Sequence, residues 1–133
     1  MREEKKKILI VDDEKDTLES MTFILSHAGY NVLTATSGKE AILLAQDELP
    51  DLILLDIRMP EMDGVKTTDI LKSYHATAKI PIAYLSSVVS ERDVKDGHVL
   101  GSKIGDLHFI PKTYSPEKII EFVKRSLEQK PEK

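Results

Sequence analysis

Short apolar runs alternate with helical patterns along the whole chain. Each run is rich in Ile, Leu and Val, which is typical of buried β-strands. The runs predict five strands, at Lys7 to Val11, Tyr30 to Ala35, Leu52 to Leu55, Ile80 to Leu85 and Leu107 to Ile110. Strict alternation of strands and helices indicates right-handed βαβ units, and continuous apolar strands indicate a sheet covered on both faces. The predicted fold class is therefore α/β with a parallel sheet.

The segments between the strands carry helical spacing and helix-end signals. Leu18 and Leu25 lie on one helical face before Gly29, which stands where a C-cap glycine is common. Further helices are predicted after the capping-box pair Ser37 and Glu40, over Gly64 to His75, over Glu91 to Lys103, and from Ser115 with Pro116 at the first position. The segment from Glu91 contains Gly97 and Gly101, and glycine costs ~1 kcal/mol relative to alanine inside a helix. This fourth helix should therefore be short or broken.

Composition limits the class of protein. With 133 residues and 41% hydrophobic content, the chain can bury one core, so we expect one domain over residues 1–133, with its core at about 7–128 and charged tails at both ends. A net charge of −4 disfavours nucleic acid and anionic lipid, so we expect no nucleic-acid partner and no membrane insertion. The absence of cysteine excludes disulfides and thiolate metal sites, and the apolar run after the N-terminal MREEKKK ends at Val11, which is too short for a signal peptide. These features predict a cytoplasmic protein.

Polar residues stand at the carboxyl ends of four predicted strands. Asp12 and Asp13 follow strand 1, Asp56 follows strand 3, Ser86 follows strand 4, and Lys112 lies just beyond strand 5. In a parallel sheet these ends share one edge, which is where α/β proteins place their sites. If strands 1 and 3 are neighbours, about 4.8 Å apart, their carboxylates crowd together and need a cation. Oxygen ligands without cysteine suit Mg²⁺, which often binds beside phosphate.

The lysine completes a pattern of positive charge around Asp56. A divalent cation on one side and the Lys112 ammonium on the other would both face an anion on that carboxylate, most simply a phosphoryl group. A carboxylate can be the nucleophile of phosphoryl transfer, and the Ser86 hydroxyl can donate a hydrogen bond to the transferred group. Taken singly these residues have ordinary explanations; Asp13, for example, could simply cap helix 1. Their joint placement favours the functional interpretation.

Three stretches of the sequence and one lysine match one protein family. They are ILIVDDE (Ile8 to Glu14), DLILLDIRMPEMDG (Asp51 to Gly64), IPIAYLSS (Ile80 to Ser87) and Lys112. On these residues the chain, from Ile8 to about Leu127, resembles the receiver domain of two-component response regulators, most of all the single-domain chemotaxis type. The resemblance implies a flavodoxin-like fold, with a five-stranded parallel sheet in the order 2-1-3-4-5 and helices on both faces.

The resemblance also implies roles for particular residues. Asp56 would be the phosphoacceptor, assisted by Lys112 and Ser86. The metal ligands would be Asp13, Asp56 and the backbone carbonyl of Arg58, with Asp12 close by. Ser86 and Phe109 would occupy the two switch positions.

As a signalling switch, such a protein receives its phosphoryl group from a sensor histidine kinase or a histidine phosphotransfer protein, with Mg²⁺ as cofactor. It then changes its binding to a downstream protein, which the sequence does not identify, at the face formed by helix 4, strand 5 and helix 5. By the same resemblance it is not an enzyme, beyond assisting its own phosphorylation and dephosphorylation.

Other functions remain open at this point. Thr113 follows Lys112 where the family usually has proline, and this keeps open a pseudo-receiver that binds partners without being phosphorylated. A phosphatase of the haloacid dehalogenase type would need a D-x-D-x-T pattern after strand 1, whereas the chain reads DDEKD from Asp12 to Asp16. Flavin binding is disfavoured because acidic residues after strand 1 would repel a phosphate that has no metal beside it.

Overall fold

The computed structural model describes residues 5–57, 64–86, 94–95, 98–99, 108–112 and 114–128, with backbone alone at 94–95, 98–99 and 108–109. The strands are β1 (Lys7–Val11), β2 (Asn31–Ala35), β3 (Leu52–Asp56), β4 (Ile82–Ser86), β5 (Val94–Lys95), β6 (His98–Val99) and β7 (His108–Pro111). The helices are α1 (Lys15–His27), α2 (Gly38–Glu48), α3 (Gly64–Ser73) and α4 (Pro116–Glu128). None of the helices in these ranges is both long and apolar enough to cross a membrane.

The main sheet has five strands in the order β2-β1-β3-β4-β7, and each neighbouring pair is parallel. Since β7 is the fifth strand of this sheet along the chain, the predicted order 2-1-3-4-5 and the α/β class are confirmed. Successive strands are added on one side of β1 and then on the other, so the order changes direction between β1 and β3. These are the strands that end beside the acidic residues. This is the place where an open α/β sheet leaves a crevice for a ligand.

Two hydrophobic clusters cover the two faces of the sheet, and alternate strand residues enter each cluster. Leu9 and Val11 point toward α2 and α3, whereas Ile8 and Ile10 point toward α1 and α4. All four side chains are fully buried. Helices on both faces explain why the strands read as continuous apolar runs rather than as alternating ones.

Several strands extend further toward the functional edge than the apolar pattern indicates. β1 has the predicted bounds, but β3 includes Asp56, β4 includes Ser86, and β7 includes Pro111. These polar or imino residues continue the ladder because their backbone groups still pair with neighbouring strands; Asp56 is in register with Leu85, and Ser86 with Pro111. The side chains of Asp56 and Ser86 are thus fixed by sheet geometry rather than by a loop.

The helix ends follow the sequence signals closely. Gly29 lies just past α1 with φ +103°, a conformation that glycine adopts without steric cost. The Ser37 side chain caps α2 by accepting a hydrogen bond from the Glu40 N–H at 3.1 Å. Glu40 in turn accepts one from the Thr36 N–H at 2.9 Å, one residue earlier than in a standard capping box. The N-cap of α1 is Glu14, so the interpretation of Asp13 as a simple cap is wrong.

The fourth predicted helix, Glu91 to Lys103, is not found where the structure describes this segment. Val94–Lys95 and His98–Val99 pair as antiparallel strands, with Val94 in register with Val99. The sequence between them is Asp-Gly, which is favoured in two-residue hairpins, and valine favours strands over helices. The prediction is wrong for these four residues, and the rest of the range lies outside the described residues.

Candidate functional site

Three aspartates meet at the carboxyl edge of β1 and β3. Asp12, Asp13 and Asp56 each offer a carboxylate oxygen, and these oxygens lie within 4.8 Å of one another. Asp12 is fully buried and Asp56 is 5% exposed, whereas Asp13 faces solvent. The predicted acidic cluster is therefore present, and it reaches solvent at Asp13.

Lys112 reaches into this cluster from the end of β7. Its Nζ lies 2.7 Å from Asp12 Oδ2 and 3.4 Å from both Glu14 Oε1 and Asp56 Oδ2. Burial alone would lower the pKa of the Lys112 ammonium, but the neighbouring carboxylates of Asp12, Asp56 and Glu14 outweigh burial and raise it. The lysine is consequently a permanent positive charge at the site, as the sequence predicts.

The two oxygens of the Asp12 carboxylate have different surroundings. Oδ1 accepts a hydrogen bond from the Glu14 N–H at 2.9 Å. Oδ2 is buried and touches the Lys112 ammonium as an ion pair, but within the described ranges no donor is aligned on it as a hydrogen bond. A buried carboxylate oxygen is the kind of ligand that a metal ion takes, and the three aspartates offer only oxygen atoms, which Mg²⁺ prefers. The described residues fit this ion.

Ser86 is joined to the site through the backbone. The Lys112 N–H donates to the Ser86 carbonyl at 2.8 Å, and this bond aligns the ends of β4 and β7. Ser86 itself is 2% exposed. Its placement at the same edge as Asp56 agrees with the sequence-based prediction, while its role with a phosphoryl group stays a prediction.

Not every predicted site residue can be placed. The Phe109 backbone lies in β7, in register with Tyr84. The structure does not describe its side chain, so its switch role stays a prediction. Arg58, whose carbonyl was expected to bind metal, and Thr113 lie outside the described residues.

Gly64 allows α3 to start directly against the backbone of Asp56 and Ile57. A Cβ at this glycine would lie 2.7 Å from the Asp56 carbonyl oxygen and 2.8 Å from the Ile57 Cα, both of which are backbone atoms that cannot rotate away. The Gly64 N–H also donates to the Ile57 carbonyl at 3.1 Å. Any side chain here would therefore displace the strand end that carries Asp56.

We expect Gly64→Ala to lower the free energy of unfolding by about 2 kcal/mol because of this overlap, and to weaken Mg²⁺ binding as well. Urea unfolding and Mg²⁺ titration measure the two effects. Gly29→Ala is the matched control. It strains the backbone at φ +103° but has open space around the new Cβ, so it should lose stability and leave Mg²⁺ binding unchanged. Equal Mg²⁺ affinity in all three proteins would contradict the role given to Gly64.

Two features of the site were missed by sequence reasoning. Glu14 contributes a carboxylate beside Lys112, and the signal was its position as the third consecutive acidic residue after β1. Tyr84 and Thr68 form a buried hydrogen bond of 2.8 Å near Asp56. A phenol inside the apolar run of strand 4 was the sequence feature that could have revealed it.

Comparisons with known proteins agree with this geometry. The chain is 36% identical over 122 residues to the alkaline phosphatase synthesis transcriptional regulatory protein PhoP of Bacillus subtilis, covering 92% of this chain and 48% of that protein. The chain thus spans about half the length of this relative.

Solved structures of other proteins have the same fold as this chain. The chemotaxis protein CheY4 of Vibrio cholerae superposes with a TM-score of 0.79 at 28% identity, covering 93% of this chain and all of that one. A structure of the CheX–CheY complex with BeF₃ and Mg²⁺ from Borrelia burgdorferi contains a chain with a TM-score of 0.73 at 29% identity, covering 93% of this chain and 90% of that one.

The family model for the response regulator receiver domain matches residues 8–124. This range includes most of α4 and the whole main sheet except Lys7, the first residue of β1. It also includes the acidic cluster and Lys112. The chain therefore belongs to the response regulator receiver domain family of two-component systems.

Proposed function

We propose that Asp56 accepts a phosphoryl group in an Mg²⁺-dependent reaction, and that this modification switches the protein's binding to a downstream partner. The observation that carries the proposal is the convergence of Lys112 on the carboxylates of Asp12 and Asp56, at 2.7 and 3.4 Å. If Lys112 served only in a structural ion pair, a single carboxylate partner would be enough. A third acidic oxygen, from Asp13, lies within 4.8 Å and supports metal-assisted chemistry instead.

The proposed step is a phosphoryl transfer to a carboxylate. An Asp56 Oδ attacks the phosphorus of the donor, a P–O bond to aspartate forms, and the bond from phosphorus to the donor breaks. With a phosphohistidine donor the P–N bond breaks and the imidazole recovers its electron pair; with acetyl phosphate the leaving group is acetate. Lys112 would then leave its contact with the Asp56 carboxylate and stabilise charge on the new phosphoryl oxygens, with Ser86 as a further donor.

Asp12, Asp13 and Asp56 would hold Mg²⁺, with the Arg58 carbonyl as a further ligand. The ion supplies electrostatic stabilisation of the transferring group. Asp12 and Asp56 are buried, so their carboxylates are held in place before the ion arrives. This arrangement reduces the cost of ordering them when the ion binds.

Asp13→Ala should weaken Mg²⁺ binding about tenfold or more, because it removes the exposed carboxylate of the cluster while leaving the buried pair intact. Isothermal titration with MgCl₂ measures the change. Asp16→Ala, an exposed acidic change in the first turn of α1, is the control for a general loss of negative charge. Equal weakening in both variants would mean that Asp13 acts only through bulk charge.

Membership of the family supports a proposal about the class of partner. Receiver domains interact with histidine kinases and phosphotransfer proteins. We propose that one of these supplies the phosphoryl group here, and that the downstream protein contacts the face formed by β7, α4 and the β5–β6 pair, which stands where the fourth helix was predicted. We further propose a single cytoplasmic domain that turns over no external substrate.

The decisive experiment is intact mass after incubation with acetyl phosphate, with Mg²⁺ and with EDTA. A gain of one phosphoryl group that requires Mg²⁺ is the expected result. No gain under any condition, with partner binding retained, would overturn the proposal in favour of a phosphorylation-independent interaction module.

A further inference from the structure

A buried phenol connects β4 to α3 beside the phosphoacceptor. Tyr84 is fully buried, and its OH donates to Thr68 Oγ1 at 2.8 Å. Thr68, 7% exposed, donates in turn to the Gly64 carbonyl at 2.8 Å. A threonine that bonds the carbonyl four residues earlier is common in helices and means little alone. The unusual part is the second hydroxyl, which reaches this threonine from the sheet.

The backbone completes a closed circuit of hydrogen bonds. The Gly64 N–H donates to the Ile57 carbonyl at 3.1 Å, and the Ile57 N–H donates to the Leu85 carbonyl at 3.2 Å. Leu85 is the residue after Tyr84 in β4, so the covalent backbone closes the path. We call this path, through Tyr84, Thr68, Gly64, Ile57 and Leu85, the α3 ring.

The α3 ring includes the N–H of the peptide that follows Asp56, since the Ile57 N–H donates to the Leu85 carbonyl. Gly64 is in contact with the Asp56 carbonyl, with no room for a side chain between them. A shift of the first turn of α3 would therefore move the Asp56 backbone, and with it the carboxylate that lies 3.4 Å from Lys112. Because the ring joins α3 to β4 and to the end of β3 together, it opposes such a shift.

Two hydroxyls in this place need an explanation beyond packing. Tyr84 lies in the hydrophobic cluster beneath α2 and α3, where phenylalanine would fill almost the same space. Buried hydroxyls are favourable only when their hydrogen bonds are made, and satisfied networks hold their members in one arrangement. A fixed arrangement matters beside a reacting group, because a displacement of that group by about 1 Å can lower the reaction rate on the order of a hundredfold.

We propose that Tyr84 and Thr68 are positioning residues of the phosphoacceptor site, which hold the first turn of α3 so that Asp56 stays aligned with Asp13 and Lys112. The inference rests on the proposed function of Asp56. It assigns neither residue a contact with the phosphoryl group.

The test compares variants that differ by single hydroxyl groups. Tyr84→Phe and Thr68→Val remove one hydroxyl each, whereas Thr68→Ser keeps it. Thr77→Val is the matched control: Thr77 is fully buried and donates to the Leu71 carbonyl at 2.6 Å, but it lies beyond the opposite end of α3. The measurements are the Mg²⁺ dissociation constant, and the maximal rate and half-saturating donor concentration with acetyl phosphate.

Tyr84→Phe and Thr68→Val should lower the maximal rate and the Mg²⁺ affinity about tenfold each, as loss of an orienting partner commonly does. Thr68→Ser and Thr77→Val should behave like the wild type in both measurements. The double variant Tyr84→Phe/Thr68→Val should be about as slow as either single variant, because each single change already breaks the same hydrogen-bonded link.

Wild-type rates and affinities in Tyr84→Phe and Thr68→Val would overturn the inference. So would an equal loss in Thr77→Val, which would mean that general destabilisation is responsible, or a failure of Thr68→Ser to restore function. If the wild type accepts no phosphoryl group, the proposed function fails. The Mg²⁺ titration, which needs no donor, then still decides for or against the α3 ring.

Discussion

Asp56→Asn protein is expected to gain no phosphoryl group from acetyl phosphate, even at saturating Mg²⁺. Asparagine fills the same space but its amide is a very poor nucleophile, and removal of a nucleophile commonly costs on the order of a millionfold in rate. Asp12 and Asp13 remain, but neither replaces Asp56 at the end of β3, where Gly64 approaches and Lys112 lies at 3.4 Å. Intact mass spectrometry after short and long incubations measures the result.

The matched control for this prediction is Asp47→Asn. Asp47 is an exposed aspartate on α2, away from the sheet edge, so the same chemical change there should leave phosphorylation at the wild-type level. Peptide mapping of the wild type should place the modification on Asp56 alone. Undiminished labelling of Asp56→Asn, or labelling that moves to Asp12 or Asp13, would show that the nucleophile has been assigned to the wrong residue.

The site could be predicted from sequence because parallel strands deliver their last residues to one edge. Asp12, Asp56 and Ser86 each follow an apolar run, so the periodicity that identifies the strands also places these side chains. Strand order was needed to bring β1 beside β3, and it came from the family resemblance rather than from the hydrophobic pattern. The structure confirms that order.

Details that depend on side-chain packing could not be predicted in this way. Tyr84 reads as one more apolar strand residue, and Thr68 as an ordinary helix position, until the helix and sheet are placed together. In the same way, Val94–Lys95 and His98–Val99 fall in a stretch where the alternation of strands and helices favours a helix, whereas the Asp-Gly sequence between the two pairs favours a hairpin turn. Local propensity alone did not resolve that competition.

The other large effect is expected for Lys112→Ala. The Lys112 ammonium, 15% exposed, compensates the fully buried Asp12 carboxylate at 2.7 Å. Removal of one partner of a buried ion pair leaves an uncompensated charge and typically costs about 3 kcal/mol or more. We therefore expect the free energy of unfolding to fall by about 3 kcal/mol in Mg²⁺-free buffer, measured by urea unfolding. Added Mg²⁺ should restore part of this loss by binding the same carboxylates.

Lys112→Ala should change the phosphorylation rate and the Mg²⁺ affinity in different ways. Without the ammonium, charge on the transferring phosphoryl group loses a fixed partner, so the phosphorylation rate at saturating Mg²⁺ should fall about a hundredfold. Mg²⁺ affinity should be at least that of the wild type, because Lys112 competes with the ion for Asp12 Oδ2 rather than supporting it. Lys124→Ala, a change at an exposed lysine of α4, should match the wild type in stability, affinity and rate. If Lys112→Ala instead lost Mg²⁺ binding and kept its phosphorylation rate, the lysine would be a structural brace for the aspartates, and the positive charge for the phosphoryl group would have to come from another residue.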